Sequence, residues 1–235
     1  MNKEPACSAT TLLVVAKAPV AGQAKTRLQT AMSPVDAAQL AAAALLDTLA
    51  AVLSAPVARR VVAMTGDLSA AERGHEIEDA LREFDVIAQR GPDLAHRLAN
   101  AHADSAELTG LPVLQIGMDT PQVGADMLGA SARLLTTSDA VLGLAADGGW
   151  WALGVHSPGS AAVLTTVPMS TDTTGADTLA ALRRSGAHVV SLPMLTDVDH
   201  PADIGPVCAA ARAGGHFRRA VAAVAPNLLP VGVQR

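Results

Sequence analysis

The sequence predicts an α/β domain built around a mostly parallel sheet, on three observations. Short β-branched runs alternate with longer Ala/Leu-rich segments, which is the pattern of βα units. No stretch of the 235 residues reads as a repeat or a low-complexity linker, so one domain is expected. Half of the residues are apolar, chiefly Ala, Val and Leu with no Tyr and two Phe, so a full core of small aliphatic side chains can be buried.

In chain order, TLLVVA (11–16) is the first strand, and Ser33-Pro34 with Asp36 in the first turn opens a helix over 34–54. RRVVAM (59–64) and DVIA (85–88) are strands separated by a helix over 69–82. A helix over 93–107 leads to the strand PVLQIG (112–117), and a helix over 124–137 to the strands DAVLGLA (139–145) and WWALGV (150–155). Helices over 174–185 and 201–213 flank the strand HVVSL (188–192). Residues 214–235 open on Gly214-Gly215, contain two prolines, and read as a short helix and tail packed on the domain. Residues 1–10 read as a flexible N-terminus.

Composition excludes several classes. A net charge of −5 offers no electrostatic footprint for nucleic acid, so any phosphate must be held by a few placed cations. Cys7 and Cys208 lie in no metal-spaced or redox pair and read as free thiols. Leu12–Ala16 is too short for a signal-peptide core, and Leu40–Leu53, interrupted by Asp47, is too short to span a bilayer. The expectation is a cytoplasmic protein with no membrane span.

Ligands of an open α/β sheet bind beyond the carboxyl ends of its strands. Loop 17–27, the Gln89–Leu94 turn, Asp119 and Asp147–Gly149 lie there. The loop's Lys17, Lys25 and Arg27 suggest a phosphate site. A P-loop fails, because Ala24 and Pro19 stand where its two glycines belong; a dinucleotide loop fails, because only Gly22 is present. The remaining possibility is a nucleotide-dependent transferase, in which a basic loop grips phosphates and carboxylates hold a divalent cation. QIGMDTP supplies Asp119 after a strand, and LTDVDHPAD supplies Asp197 and Asp199. Two carboxylates about 4 Å apart repel by about 4 kcal/mol at an effective dielectric of about 20, so Mg²⁺ or Mn²⁺ between them is natural.

The segments KAPVAGQAKTRL, QRGPDLAHRL, IGMDTPQV, LGLAADGGWWALGV, STDTTGADTLAALRRSG and DVDHPADI occur in the order of one bacterial family. The chain resembles the first rSAM/selenodomain-associated transferase family, of the GT-A or nucleotide-diphospho-sugar transferase superfamily, from about Leu12 to Ile204. It is also similar to the 2-phospholactate and molybdenum-cofactor guanylyltransferases. It departs from the family patterns at Met118, Thr120, Trp150-Trp151 and His200, none of which removes a candidate ligand.

The resemblance implies a single GT-A-like three-layer sandwich over 11–213, with a mostly parallel central sheet. By it, Lys17, Ala18, Pro19, Gly22, Lys25 and Arg27 would meet phosphates, with Lys25, Arg27 and Asp119 as the catalytic set. Gln89, Gly91, Asp93 and Leu94 would meet the nucleoside. Asp119 and Asp199 would hold Mg²⁺ or Mn²⁺, although either could instead cap a helix. Asp147, Gly148 and Gly149 could form a simple turn or admit a ligand to the backbone, and beside them Trp150 and Trp151 point to opposite faces, one into an acceptor pocket. The donor would be an NTP or an NDP-sugar. Three clustered cations and an Asp119 outside any Asp-x-Asp motif favour nucleotidyl transfer to a small phosphorylated or acidic acceptor. Glycosyl transfer and a non-catalytic nucleotide-binding protein are the alternatives.

Overall fold

The computed structural model describes residues 7–228. Seven strands form one sheet: β1 (Ser8–Lys17), β2 (Val57–Thr65), β3 (Asp85–Ala88), β4 (Val113–Ile116), β5 (Ala140–Leu144), β6 (Trp150–Val155) and β7 (Val189–Ser191). Their order is β3-β2-β1-β4-β6-β5-β7. Only β6 runs against its neighbours, antiparallel to both β4 and β5. The helices are α1 (Pro34–Ser54), α2 (Gly74–Leu81), α3 (Leu94–Thr109), α4 (Ala125–Leu135), α5 (Thr174–Arg184), α6 (Pro201–Ala210) and α7 (His216–Val224).

Period-two alternation divides the core into two layers. Leu12 and Val14 of β1 and Leu114 and Ile116 of β4 point to one face, where they meet Leu45 and Leu49 of α1, Ile77 of α2 and Leu128 of α4. Leu13, Val61 and Val113 point to the other face, against Ala101 and Ala106 of α3. Leu142 and Leu153 continue that face against Leu98 of α3 and Leu182 of α5. The three-layer α/β sandwich with a mostly parallel sheet is therefore present. Each fully buried Leu or Ile contributes about 1.5–3 kcal/mol.

Local chemistry sets the starts of α1 and α3. The Ser33 hydroxyl accepts from Asp36 N at 3.1 Å with Pro34 in the first turn, and Asp93 accepts from His96 N at 2.9 Å at the start of α3. Buried Asp47 of α1 accepts from His216 N and Phe217 N, both at 2.8 Å, and so pins α7 to the domain.

Several expectations need correction. β1 begins at Ser8, and Thr10 is fully buried, so the flexible N-terminus does not extend to residue 10; residues 1–6 lie outside the described range, as does the tail beyond Leu228. The expected helix over 69–82 splits into a 3-10 turn (Leu68–Ala70) and α2, because Asp67 accepts from Ser69 N and Arg73 adopts a left-handed φ of 55°. α6 stops at Ala210 instead of 213. A nine-residue 3-10 stretch (Pro158–Thr166), whose sequence has no helical period, packs against α3. α1 has the expected bounds 34–54, and by length and composition its 21 residues are long and apolar enough to cross a bilayer, although the apolar stretch 40–53 within it was expected to be too short. Of its most apolar window 72% is buried inside the fold, as for a core helix.

Candidate active site

A cavity of about 660 Å³ lies over the carboxyl ends of β1 and β4 and the amino end of the antiparallel β6, where the strand order reverses around β1. Loop 18–27 borders the cavity through Arg27. Ala18 N donates to Thr65 O on β2, and Val20 O accepts from both Gln23 N and Ala24 N, folding the loop back on itself. Ala18, Pro19 and Gly22 are therefore in the fabric of the loop and do not line the cavity, whereas Lys17 and Arg27 do.

Lys25 takes a left-handed φ of 47° and turns its side chain inward. Its Nζ lies 2.9 Å from Asp119 Oδ2 and 2.9 Å from Asp199 Oδ1, with the side chain only 8% exposed. Burial alone would lower its pKa, but the two carboxylates outweigh burial and hold it above the ordinary lysine value. Lys25, expected at the phosphates, is thus paired with both expected metal ligands. Arg27 Nη1 lies 2.6 Å from Asp199 Oδ2. Burial would raise the Asp199 pKa, but Lys25 and Arg27 hold it below the usual carboxylate range.

Neither carboxylate caps a helix. α4 begins beyond Asp119 at Ala125, after Gly124, and at the start of α6 it is Asp203 that accepts from Asp199 N and His200 N. A backbone bond from Val198 N to Asp119 O, 3.0 Å, brings segment 197–199 to the end of β4. Asp197 enters the group with them. Burial first, then the Asp119 and Asp147 carboxylates, push its pKa up to about 7. Among the described residues, Asp119 Oδ1 and Asp197 Oδ1 are buried with no hydrogen-bond partner. The cavity wall carries Asp119, Asp147, Asp172, Asp197 and Asp199 against Lys17, Arg27 and Arg97. Oxygen-rich, with buried oxygens lacking donors, this set suits a hard divalent cation. No cluster of three or more His, Cys, Asp or Glu is arranged as a ready metal site among the described residues, and Lys25 holds the position between Asp119 and Asp199.

Of the expected nucleoside residues, Gln89 and Leu94 line the cavity. Gln89 Nε2 donates to Ala16 O (2.8 Å) and Ala63 O (2.9 Å), tying β1 to β2, and its Oε1 makes no hydrogen bond among the described residues. Gly91 and Asp93 do not line it; Asp93 is the α3 cap, and Gly91 (φ 140°) lets the turn lie on His96, whose Cβ would be 2.9 Å from an added Cβ.

On the expected acceptor side, Asp147 Oδ1 accepts from Gly149 N at 2.8 Å, closing the turn before β6. At Gly148 (φ 91°) an added Cβ would overlap Asp172 O, so this glycine admits the backbone of the Asp172 segment rather than a ligand. Trp151 is 1% exposed and donates from Nε1 to Pro193 O at 2.9 Å. Trp150 is half-buried on the opposite face, against the Leu98–Leu142–Leu153 cluster. Both contribute to the cavity lining, Trp151 from within the core.

Sequence reasoning missed Thr65, Arg97, Gln115 and the Met169–Asp172 segment, all on the cavity wall. Gln115 carried a signal: it is a polar residue at an alternating position of an apolar strand. Arg97 and Asp172 stand inside quoted motifs without a role of their own.

The profile of a bacterial family described as an uncharacterized protein conserved in bacteria, DUF2064, matches residues 48–171. The chain belongs to this family. Over 110 residues it is 40% identical to a phosphoenolpyruvate guanylyltransferase of Streptosporangium roseum, a match covering 45% of this chain and 48% of that one. The match thus spans about half the length of that curated relative. A crystal structure from Desulfovibrio desulfuricans G20, assigned as a nucleotide-diphospho-sugar transferase, is similar with a TM-score of 0.72 and 25% identity, covering 83% of this chain and 84% of that one. A cytidylyltransferase from Leptospira borgpetersenii shares the fold, with a TM-score of 0.55 and 10% identity over 94% of this chain and 97% of that one. DUF2064 membership and these neighbours agree with the nucleotide-diphospho-sugar transferase fold and the guanylyltransferase likeness expected from the motifs.

Proposed function

We propose that this DUF2064 protein is a metal-dependent nucleotidyltransferase that joins an NTP to a small phosphorylated or acidic acceptor and releases pyrophosphate. The observation that carries the reading is the carboxylate group of Asp119, Asp197 and Asp199, with two unpartnered buried oxygens, beside the cationic wall of Lys17 and Arg27. A triphosphate brings about four negative charges; alone it would be repelled by the carboxylates, and Mg²⁺ or Mn²⁺ held by them would screen that charge. The acceptor oxygen would attack the α-phosphorus as the bond to the bridging oxygen breaks, with pyrophosphate leaving along Lys17 and Arg27. Gln89 Oε1 is available to accept from a nucleobase, and Trp150 with Ser170–Asp172 would border the acceptor.

The guanylyltransferase relative, matched across 48% of its length, supports a guanine nucleotide and a phosphorylated acid. Glycosyl transfer is the second reading, favoured by the Desulfovibrio neighbour with its broader coverage. A thermal-shift screen of the four NTPs and a panel of NDP-sugars, with and without Mn²⁺, separates them, followed by assays of pyrophosphate and NDP release. Mn²⁺-dependent stabilisation by an NTP, lost in Asp119→Asn, with pyrophosphate formed only when an acceptor is present, is the expected result. Stabilisation by NDP-sugars with NDP release would establish glycosyl transfer instead, and nucleotide binding without turnover would leave a binding protein.

A further inference from the structure

We propose that Lys25 is a built-in counter-cation of the metal carboxylates, a positioning residue that must withdraw before a divalent cation can enter. The inference rests on the metal-dependent reading above and concerns how that site fills.

Lys25 Nζ is equidistant, at 2.9 Å, from one oxygen of Asp119 and one of Asp199, the two carboxylates that would hold the cation. Arg27 takes the second Asp199 oxygen at 2.6 Å. Both Asp199 oxygens and one of Asp119 are therefore already engaged. Among the described residues, Asp119 Oδ1, Asp197 Oδ1 and, also on the cavity wall, Gln115 Oε1 are buried without a partner, so a cation that completes its shell with waters and phosphates would have these oxygens but not those of Asp199 while Lys25 and Arg27 stay. Access to Asp199 requires the ammonium to leave. The Lys25 side chain is 8% exposed, so solvent does not offer it an alternative partner in place. Its left-handed φ of 47°, uncommon for a residue with a Cβ, is held while the two ion pairs last. Phosphates arriving along Lys17 and Arg27 supply the missing partner.

Two consequences follow by linkage. The divalent cation and the nucleotide promote one another's binding, because each removes the cost of displacing Lys25 for the other. Each alone binds weakly, and loop 18–27 keeps its closed form until both are present or the cation is in large excess.

The test is a Mn²⁺ titration followed by electron paramagnetic resonance, without nucleotide and then with GTP, CTP, UTP or ATP. Lys25→Gln should bind Mn²⁺ alone at least tenfold more tightly than the wild type, and the enhancement by nucleotide should shrink. Lys25→Arg, which keeps the charge, should retain weak Mn²⁺ binding. Equal or weaker Mn²⁺ binding by Lys25→Gln overturns the proposal even in an active enzyme, whereas failure of nucleotidyl transfer leaves the Mn²⁺ contrast standing. Absence of Mn²⁺ binding in both proteins overturns the proposal together with the metal reading. A measurement on the wild type avoids any folding defect of the variants. The chain has three lysines, Lys3, Lys17 and Lys25, so amine acetylation read by mass spectrometry resolves each. Lys25 should be protected in the apo protein and become reactive at saturating Mn²⁺ without nucleotide; persistent protection there refutes the exchange.

Discussion

Replacing each tryptophan in turn separates packing from ligand contact, because Trp150 and Trp151 are the chain's only two. Trp151 is 1% exposed, and its indole occupies the space above Gly143, where an added Cβ would lie 2.3 Å from Nε1. Leu cannot fill that plane and cannot donate to Pro193 O. Lost packing of about 2–3 kcal/mol and an orphaned carbonyl worth about 1 kcal/mol put the cost of Trp151→Leu at about 3–4 kcal/mol. For a chain of this size that is a fall in Tm of about 6–16 °C. Trp150, half-buried at the cavity, should cost about 1 kcal/mol or less on the same change. Thermal melts by circular dichroism measure both. Fluorescence supplies the second arm. With Trp151 replaced, Trp150 is the sole emitter, and Mn²⁺ with the cognate nucleotide or acceptor should quench or shift it. With Trp150 replaced, the buried Trp151 should respond little, and acceptor turnover should fall while nucleotide binding persists. Equal destabilisation by the two substitutions, with neither affecting acceptor use, would refute the placement of an acceptor beside Trp150.

Arg27→Gln should weaken NTP binding at least tenfold in calorimetric titration, the loss of a charge-assisted contact of about 1.5–3 kcal/mol, and should weaken NDP-sugar binding less. Its side chain is 55% exposed, so the melting temperature should change little; equal losses for both ligand classes would count against an extra phosphate at Arg27. Stability should also carry a histidine-dependent acid limb. Burial pushes the pKa of His102 down to about 3, and neither ring nitrogen has a partner among the described residues. Between the unfolded value of about 6.5 and that folded value, only the unfolded chain takes up the proton, so stability is full above pH 6.5 and falls as pH is lowered. The contribution is about 2 kcal/mol between pH 7 and pH 5, and urea denaturation of His102→Leu should lose less stability over that interval by this amount.

Much of the scaffold was legible because each piece rests on nearby residues. Ser33, Pro34 and Asp36 start α1 through bonds spanning three positions, and Asp93 starts α3 in the same way. The strands show as β-branched runs because burial on both faces of a parallel sheet demands them. Where a local rule competed with another local bond the reading failed: Asp67 and the left-handed Arg73 broke the helix expected over 69–82. The site was legible as a set of strand-end residues but not as a set of contacts. Asp93, expected at the nucleoside, proves to be the α3 cap once the cavity wall is traced, and Gly148 reads as a ligand approach until Asp172 is found against it.

The sequence by itself determined the α/β class, the sheet's helical cover and the ends of the strands at which Lys17, Asp119 and the loop carrying Arg27 stand, because periodicity and capping act over a few residues. Tertiary structure alone decided that Lys25 lies between Asp119 and Asp199, the latter 174 residues away, and that Asp197 is buried beside them. Charge pairing depends on distance in space and on burial. Both are fixed only when β1, β4 and the 197–199 segment are brought together by the sheet and by the Val198–Asp119 backbone bond.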